Sequence, residues 1–216
     1  MKKIFIFPIA LFFCSLPRIS LGAEKSVDLL ERLTEAMAGV SDLSASFTQT
    51  TTVEAAGMEK SAGGTVVFKR GSRMRWEYKG SDPQTIVCDG KTLWVYQPRD
   101  RTALKRPLGE LAPSARAALD LLSGASQAGI HFNLSSCGNL CVELKPKKPD
   151  PDLSAVRLLL GDEGRAITEV TTEDAVGNRT RIVLSGIEKN KGVEDRVFDF
   201  TPPPGVDVFD GQGRAR

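Results

Sequence analysis

Residues 66–78 read Val66-Val67-Phe68-Lys69-Arg70-Gly71-Ser72-Arg73-Met74-Arg75-Trp76-Glu77-Tyr78. Val66, Phe68 and Arg70 fall on one side of a period-two pattern. Met74, Trp76 and Tyr78 do the same a few residues on, with Arg73, Arg75 and Glu77 facing the other way. Alternation of this kind is the mark of a strand with one face turned to a core. The same period continues on either side. Leu43 to Gln49 alternates upstream, and Thr85–Cys88 and Thr92–Gln97 flank Asp89-Gly90, a strong hairpin signal. Strand-like runs resume at 130–135, 140–145, 155–160, 166–173 and 178–187, with Gly161-Asp162-Glu163-Gly164 and Gly177-Asn178 punctuating the last three.

Two segments carry the helical period instead. Val27, Leu30, Leu33, Met37 and Val40 recur at spacings of three and four over 24–40. Ala115, Ala118, Leu119 and Leu122 make a short stripe over 114–123, with Ser114 placed to cap it and Gly124 to end it. The pattern predicts an α+β fold in a single domain: a strongly curved antiparallel sheet, a half-open β-barrel of about ten or eleven strands, with helices able to lie over it as a lid. Residues 201–208, with Pro202-Pro203-Pro204, cannot form an interior strand.

The chain has 216 residues, 41% apolar and 26% charged, enough for a packed core. Residues 1–23 read as a secretory signal peptide: Lys2 and Lys3, an apolar run from Ile4 to Leu16, then Ser20-Leu21-Gly22-Ala23, with cleavage after Gly22 or Ala23. The run is about 13 residues, short of the roughly 20 that span a bilayer. Removing it takes Lys2, Lys3 and Arg18 from the 29 basic residues, so that 26 face 27 acidic ones and the formal charge moves from +2 to −1. Neither balance points to nucleic acid as a partner. Residues 24–216 form the remaining domain, expected to be a soluble monomer.

Catalytic signatures are absent. Gly90-Lys91-Thr92 has Thr85 where a phosphate-binding loop needs its first glycine, and no G-x-S-x-G, S-x-x-K, H-E-x-x-H or C-x-x-C occurs. The one histidine, His131, sits in a strand-like run beside Phe132. No catalytic residue, metal site or cofactor is expected, and the chain reads as a non-enzyme. Past the signal three cysteines remain. Cys137 and Cys141 bracket a turn signal and are candidates for a disulfide, a CxxxC metal half-site being the rival; Cys88 is left as a buried filler.

The set Leu43-x-Ala45-x-Phe47-x-Gln49, Lys69-Arg70 ahead of Met74-Arg75-Trp76, Asp89-Gly90-Lys91-Thr92-Leu93-Trp94-x-Tyr96 and Phe198-x-Phe200-x-Pro202-Pro203-x-Gly205-Val206-Asp207-Val208 resembles LolA, the periplasmic outer-membrane lipoprotein carrier family. The likeness covers 24–208 in order. One departure is Gly71, where the family often has proline after the Lys-Arg pair. The resemblance implies an open barrel closed by helices over a cavity for acyl chains. Loading would come from an inner-membrane ATP-driven extractor, and delivery would go to an outer-membrane receptor. Phe47, Val66, Phe68, Met74, Trp76, Tyr78, Trp94 and Tyr96 become candidates to line that cavity; periodicity alone favours reading them as plain core. Ala118, Leu119 and Leu122 become lid residues. Arg70, which alone reads as a strand-end arginine reaching solvent, becomes a latch that hydrogen-bonds the lid. A carrier of another lipid or glycolipid on the same fold and a lipid-sensing envelope-stress regulator are the competing readings.

Overall fold

A computed structural model of the chain describes residues 28, 29, 31, 34, 35, 38–111 and 131–210. Six strands follow one another in the first half: β1 (Asp42–Val53), β2 (Met58–Lys69), β3 (Arg73–Lys79), β4 (Gln84–Asp89), β5 (Thr92–Gln97) and β6 (Thr102–Pro107). Five more follow in the second: β7 (Phe132–Gly138), β8 (Cys141–Pro146), β9 (Ala155–Gly161), β10 (Ala166–Glu173) and β11 (Arg179–Lys189), and β12 (Asp207–Phe209) closes the series. All belong to one 12-stranded sheet in the order β12-β6-β5-β4-β3-β2-β1-β11-β10-β9-β8-β7. Two antiparallel meanders therefore meet along β1 and β11. Among the described residues the edges, β12 and β7, do not pair with each other, so the barrel stays open.

Four differences from the sequence reading stand out, and the first three have plain causes. The β1–β2 hairpin runs on through 50–53 and 58–65, where threonines, Gly63-Gly64 and exposed charged residues hide the alternation. β6 was not anticipated, because Ala103-Leu104-Lys105-Arg106 carries almost no apolar contrast. β12 forms after the proline run and pairs parallel with β6, the one departure from an antiparallel sheet and an edge position that spares the prolines any ladder bond. His131 precedes β7 and is not part of it.

Curvature has local sources. Register shifts mark bulges at Ser44/Ser46 in β1, Ile167/Glu169 in β10 and Ser136/Gly138 in β7, and each extra residue bends its strand. Gly64 allows a second distortion, since a Cβ there would collide with the carbonyl oxygen of Glu77. The β2–β3 turn explains the departure at Gly71: its φ is +84°, which a proline ring forbids. At the β4–β5 turn Gly90 takes φ +93°, and Asp89 Oδ1 accepts the N–H groups of Lys91 and Thr92, both at 2.7 Å.

The expected helix over 24–40 is described at Asp28, Leu29, Glu31, Thr34, Glu35 and Ala38, all helical, and Leu29 is buried in the core. The expected helix over 114–123, with Ala118, Leu119 and Leu122, and the signal segment 1–23 lie outside the described residues.

Candidate functional site

Residues directly opposite on paired strands share a face, and the register traces one face across the whole sheet. Leu43 lies opposite Phe68, then Met74, Cys88 and Leu93. Ala45 leads in the same way to Val66, Trp76, Ile86 and Val95. Phe47 faces Gly64 and, through it, Tyr78. On its other side Phe47 faces Leu184, and the second meander continues the face through Ile182, Val170, Leu158 and Val142. Leu29, Phe132, Leu144 and Val156 join the same contact cluster, which reaches from β4 to β7. This buried side of the curved sheet is its inner face.

The aromatic side chains at the centre are close. Phe47 meets Trp76 edge-on at 4.8 Å between ring centroids and Tyr78 at 4.9 Å, and Phe68 meets Trp76 at 5.8 Å. Phe47, Val66, Phe68, Met74 and Trp76 are buried, and Tyr78 is half-buried. Burial pushes the Tyr78 hydroxyl pKa up. It does the same to the Cys88 thiol, opposed by a bond from the Gly90 N–H and reinforced by the Asp89 charge. At one end of the face Leu43, Phe68, Ile167, Leu184 and Ile187 line an open apolar pocket.

Two candidates fall elsewhere. Trp94 and Tyr96 alternate with Leu93 and Val95, so they point to the outer face beside Val87 and Thr85. There both rings pack on Phe200, at 5.5 and 5.6 Å, and Lys105 Nζ stands 5.1 Å from the Trp94 ring. The expectation that they share a face with Trp76 is thus corrected. Both faces of β4 and β5 are apolar, because segment 193–209 crosses the outside, and alternation alone could not tell in from out. Phe198, Val87 and Ala103, all buried, mark this outer layer.

Arg70 sits in the turn after β2, not in the strand, and is exposed. Its Nε donates to the Val40 carbonyl oxygen at 2.8 Å, and its backbone N–H to that of Ser41 at 3.1 Å. It thus holds the chain leaving the N-terminal helical stretch. Any contact with 114–123 lies outside the described residues. Beside it Asp42 is almost fully buried, accepting bonds from the Ser41 hydroxyl and the N–H groups of Lys191 and Gly192. Cys137 and Cys141 are joined by a disulfide across the β7–β8 turn, and Cys88 is buried with its thiol free. Among the described residues no three His, Cys, Asp or Glu side chains cluster to hold a metal ion.

Sequence reasoning overlooked a row of polar side chains on the inner face. Tyr78 donates its hydroxyl to Gln49 Oε1 at 2.9 Å, Gln49 Nε2 donates to Thr51 Oγ1 at 3.2 Å, and the Thr51 and Thr180 hydroxyls pair at 3.3 Å. Gln49 and Thr51 continue the odd-numbered positions of β1, but their link to Tyr78, two strands away, depends on Gly64 leaving a lane for the ring.

An open, curled sheet with a largely apolar inner face and an aromatic centre defines a half-open barrel built around an apolar interior. The family model described as outer membrane lipoprotein carrier protein LolA matches residues 38–201. The chain belongs to the LolA family. It is 33% identical to an outer-membrane lipoprotein carrier protein of Chromobacterium violaceum over 88% of this chain and 92% of the relative. A protein of the same description from Dechloromonas aromatica is 30% identical over 83% and 86%. Among solved structures, an uncharacterized conserved protein from Thermus thermophilus shares the fold with a TM-score of 0.53, at 11% identity over 86% of this chain and 99% of that one.

Proposed function

We propose that the chain is an exported carrier. It shelters the acyl chains of lipoproteins in the periplasm, taking them from an inner-membrane ATP-driven extractor and passing them to an outer-membrane receptor. The observation that carries this reading is the largely apolar inner face from Leu93 to Val142 on a sheet whose two edge strands, among the described residues, do not pair with each other. The names of the relatives support it. Residues 1–23 act as the export signal.

The energetics call for such a shelter. Each methylene removed from water contributes about 0.8 kcal/mol, so a chain of roughly 16 carbons carries about 12 kcal/mol against crossing an aqueous gap bare. Hand-off then needs a counterweight. In the empty protein the aromatic centre packs on itself, and this closed state competes with the loaded one, lowering net affinity by its own stability. Phe47, Val66, Phe68, Met74, Trp76 and Tyr78 line the space when it opens. A lid over 114–123 moves with it, and Arg70 latches the closed form. The cycle uses binding and conformational change, with no covalent step in this chain.

The test is to purify the protein from an envelope extract without detergent exchange and identify what co-purifies by mass spectrometry. Intact acylated polypeptide is expected. Free lipid or glycolipid alone would make the chain a carrier of another class, and an empty protein that takes up neither would overturn the reading.

A further inference from the structure

From the polar row at one end of the inner face and the apolar pocket at the other, we infer that Gln49, Thr51, Thr180 and Tyr78 form a subsite for the ester carbonyls at the head of the cargo's acyl chains, with the tails running along β1 toward Leu43 and Phe68. This rests on the carrier reading and adds an orientation to it.

The inner face changes character along its length. At Leu43 it is mainly apolar, with Phe68, Ile167, Leu184 and Ile187 around the open pocket and Lys189 its one charged lining residue. Six residues on, at Gln49, it becomes polar: β3, β1 and β11 each place hydroxyl or amide groups there, joined in one hydrogen-bonded row. All four side chains are half-buried. Polar groups in such a position must keep partners. Within the row one N–H of Gln49 and one hydroxyl proton of the threonine pair remain unspent, because an amide carries two N–H groups and two hydroxyls sharing one bond leave one donor. Spare donors beside an apolar face suit a ligand that offers acceptors and no donors at the end of a hydrocarbon, which is the chemistry of a fatty ester. The spacing agrees: six strand residues at about 3.3 Å each give about 20 Å from row to pocket, a length on the scale of one extended long acyl chain. The row's own side chains are neutral, as a carbonyl partner requires, and Lys60 lies opposite Thr51 at its outer end.

The test compares two synthetic probes on the purified protein by competition with a fluorescent hexadecyl reporter: a dipalmitoyl glyceryl-cysteine peptide and its dihexadecyl ether analogue, which keeps the chains and loses the carbonyls. The ester should bind about tenfold tighter, the worth of one or two neutral hydrogen bonds. In Thr51→Val/Thr180→Val the ester should fall to the ether's affinity while the ether is unchanged. Gln49→Leu should act alike and serves if the double variant fails to fold. Equal binding of the two probes by the unmodified protein, or a preference that survives these substitutions, overturns the subsite and leaves the carrier standing. Binding of neither probe overturns both.

Discussion

Arg70 and Asp42 lie on either side of the point where the N-terminal helical stretch becomes β1, and their bonds do different work. The Arg70 bond to the Val40 carbonyl oxygen joins the β2–β3 turn to that stretch. A charge-assisted bond contributes on the order of 1.5–3 kcal/mol, and its exposed position argues for the lower figure. Arg70→Leu removes the donor and adds apolar surface. It should accept lipoprotein from inner-membrane vesicles at least as well as the unmodified protein but pass it to the purified receptor roughly tenfold less well; Arg70→Lys should fall between, lacking the planar fork. Undiminished transfer by the leucine variant would remove Arg70 from the release step. Burial acts to raise the Asp42 pKa, but the Ser41 hydroxyl and the N–H groups of Lys191, Gly192 and Val193 outweigh it and hold the carboxyl below its usual value. A lowered carboxylate stabilises the fold at pH above the unfolded value, about 3.9, and loses that contribution as pH falls through the folded one. Asp42→Asn should therefore unfold in less urea at pH 7, and the gap between the two proteins should close below about pH 4. A gap independent of pH would assign the loss to packing.

The segment after β11 acts as a strap across the outside of the first meander. Lys69 Nζ reaches the Val193 carbonyl and Asp195, both at 2.6 Å, Arg75 Nη1 reaches the Val197 carbonyl, and Phe198 and Phe200 close over the sheet before β12 pairs with β6. Phe200→Ala removes two aromatic contacts and should cost about 1–3 kcal/mol of stability in a denaturant melt. Lipid uptake by the folded fraction should stay as it was, since Trp94 and Tyr96 face away from the interior. A variant that melts normally yet takes up no lipid would return both rings to the site. The second meander needs no strap, because its outer face is a charge ladder: Glu143 pairs with Lys145 and Arg157, Glu173 with Arg157 and Arg179, and Glu169 with Arg181.

Opening of the barrel as a unit has a built-in reporter. With Cys137 and Cys141 bonded, Cys88 is the one thiol of the described residues, and it is wholly buried on the inner face opposite Met74 and Leu93. A thiol reagent can reach it only through opening, so its labelling rate follows the open population. Without reductant, labelling of Cys88 should be slow in the unmodified protein and about tenfold faster in Arg70→Leu. Equal rates would mean that Arg70 does not hold the closed state.

How much of this was legible beforehand varies from strand to strand. Where one side of a strand is apolar and the other charged, as in Met74-Arg75-Trp76-Glu77-Tyr78, a period of two names both the element and its inner face, and β3, β1 and the Asp89-Gly90 hairpin follow from residues alone. The ordered set of short motifs carried the family as well. Trp94 and Tyr96 could not be placed that way, because the strap that covers them starts almost a hundred residues later and makes both faces of β5 apolar. Nor could the row from Tyr78 to Thr180, which depends on three strands distant in sequence and on the missing side chain of Gly64. Periodicity is a property of neighbours along the chain, whereas the face that becomes the interior, and the polar groups that meet on it, are set by which strands the curled sheet brings side by side.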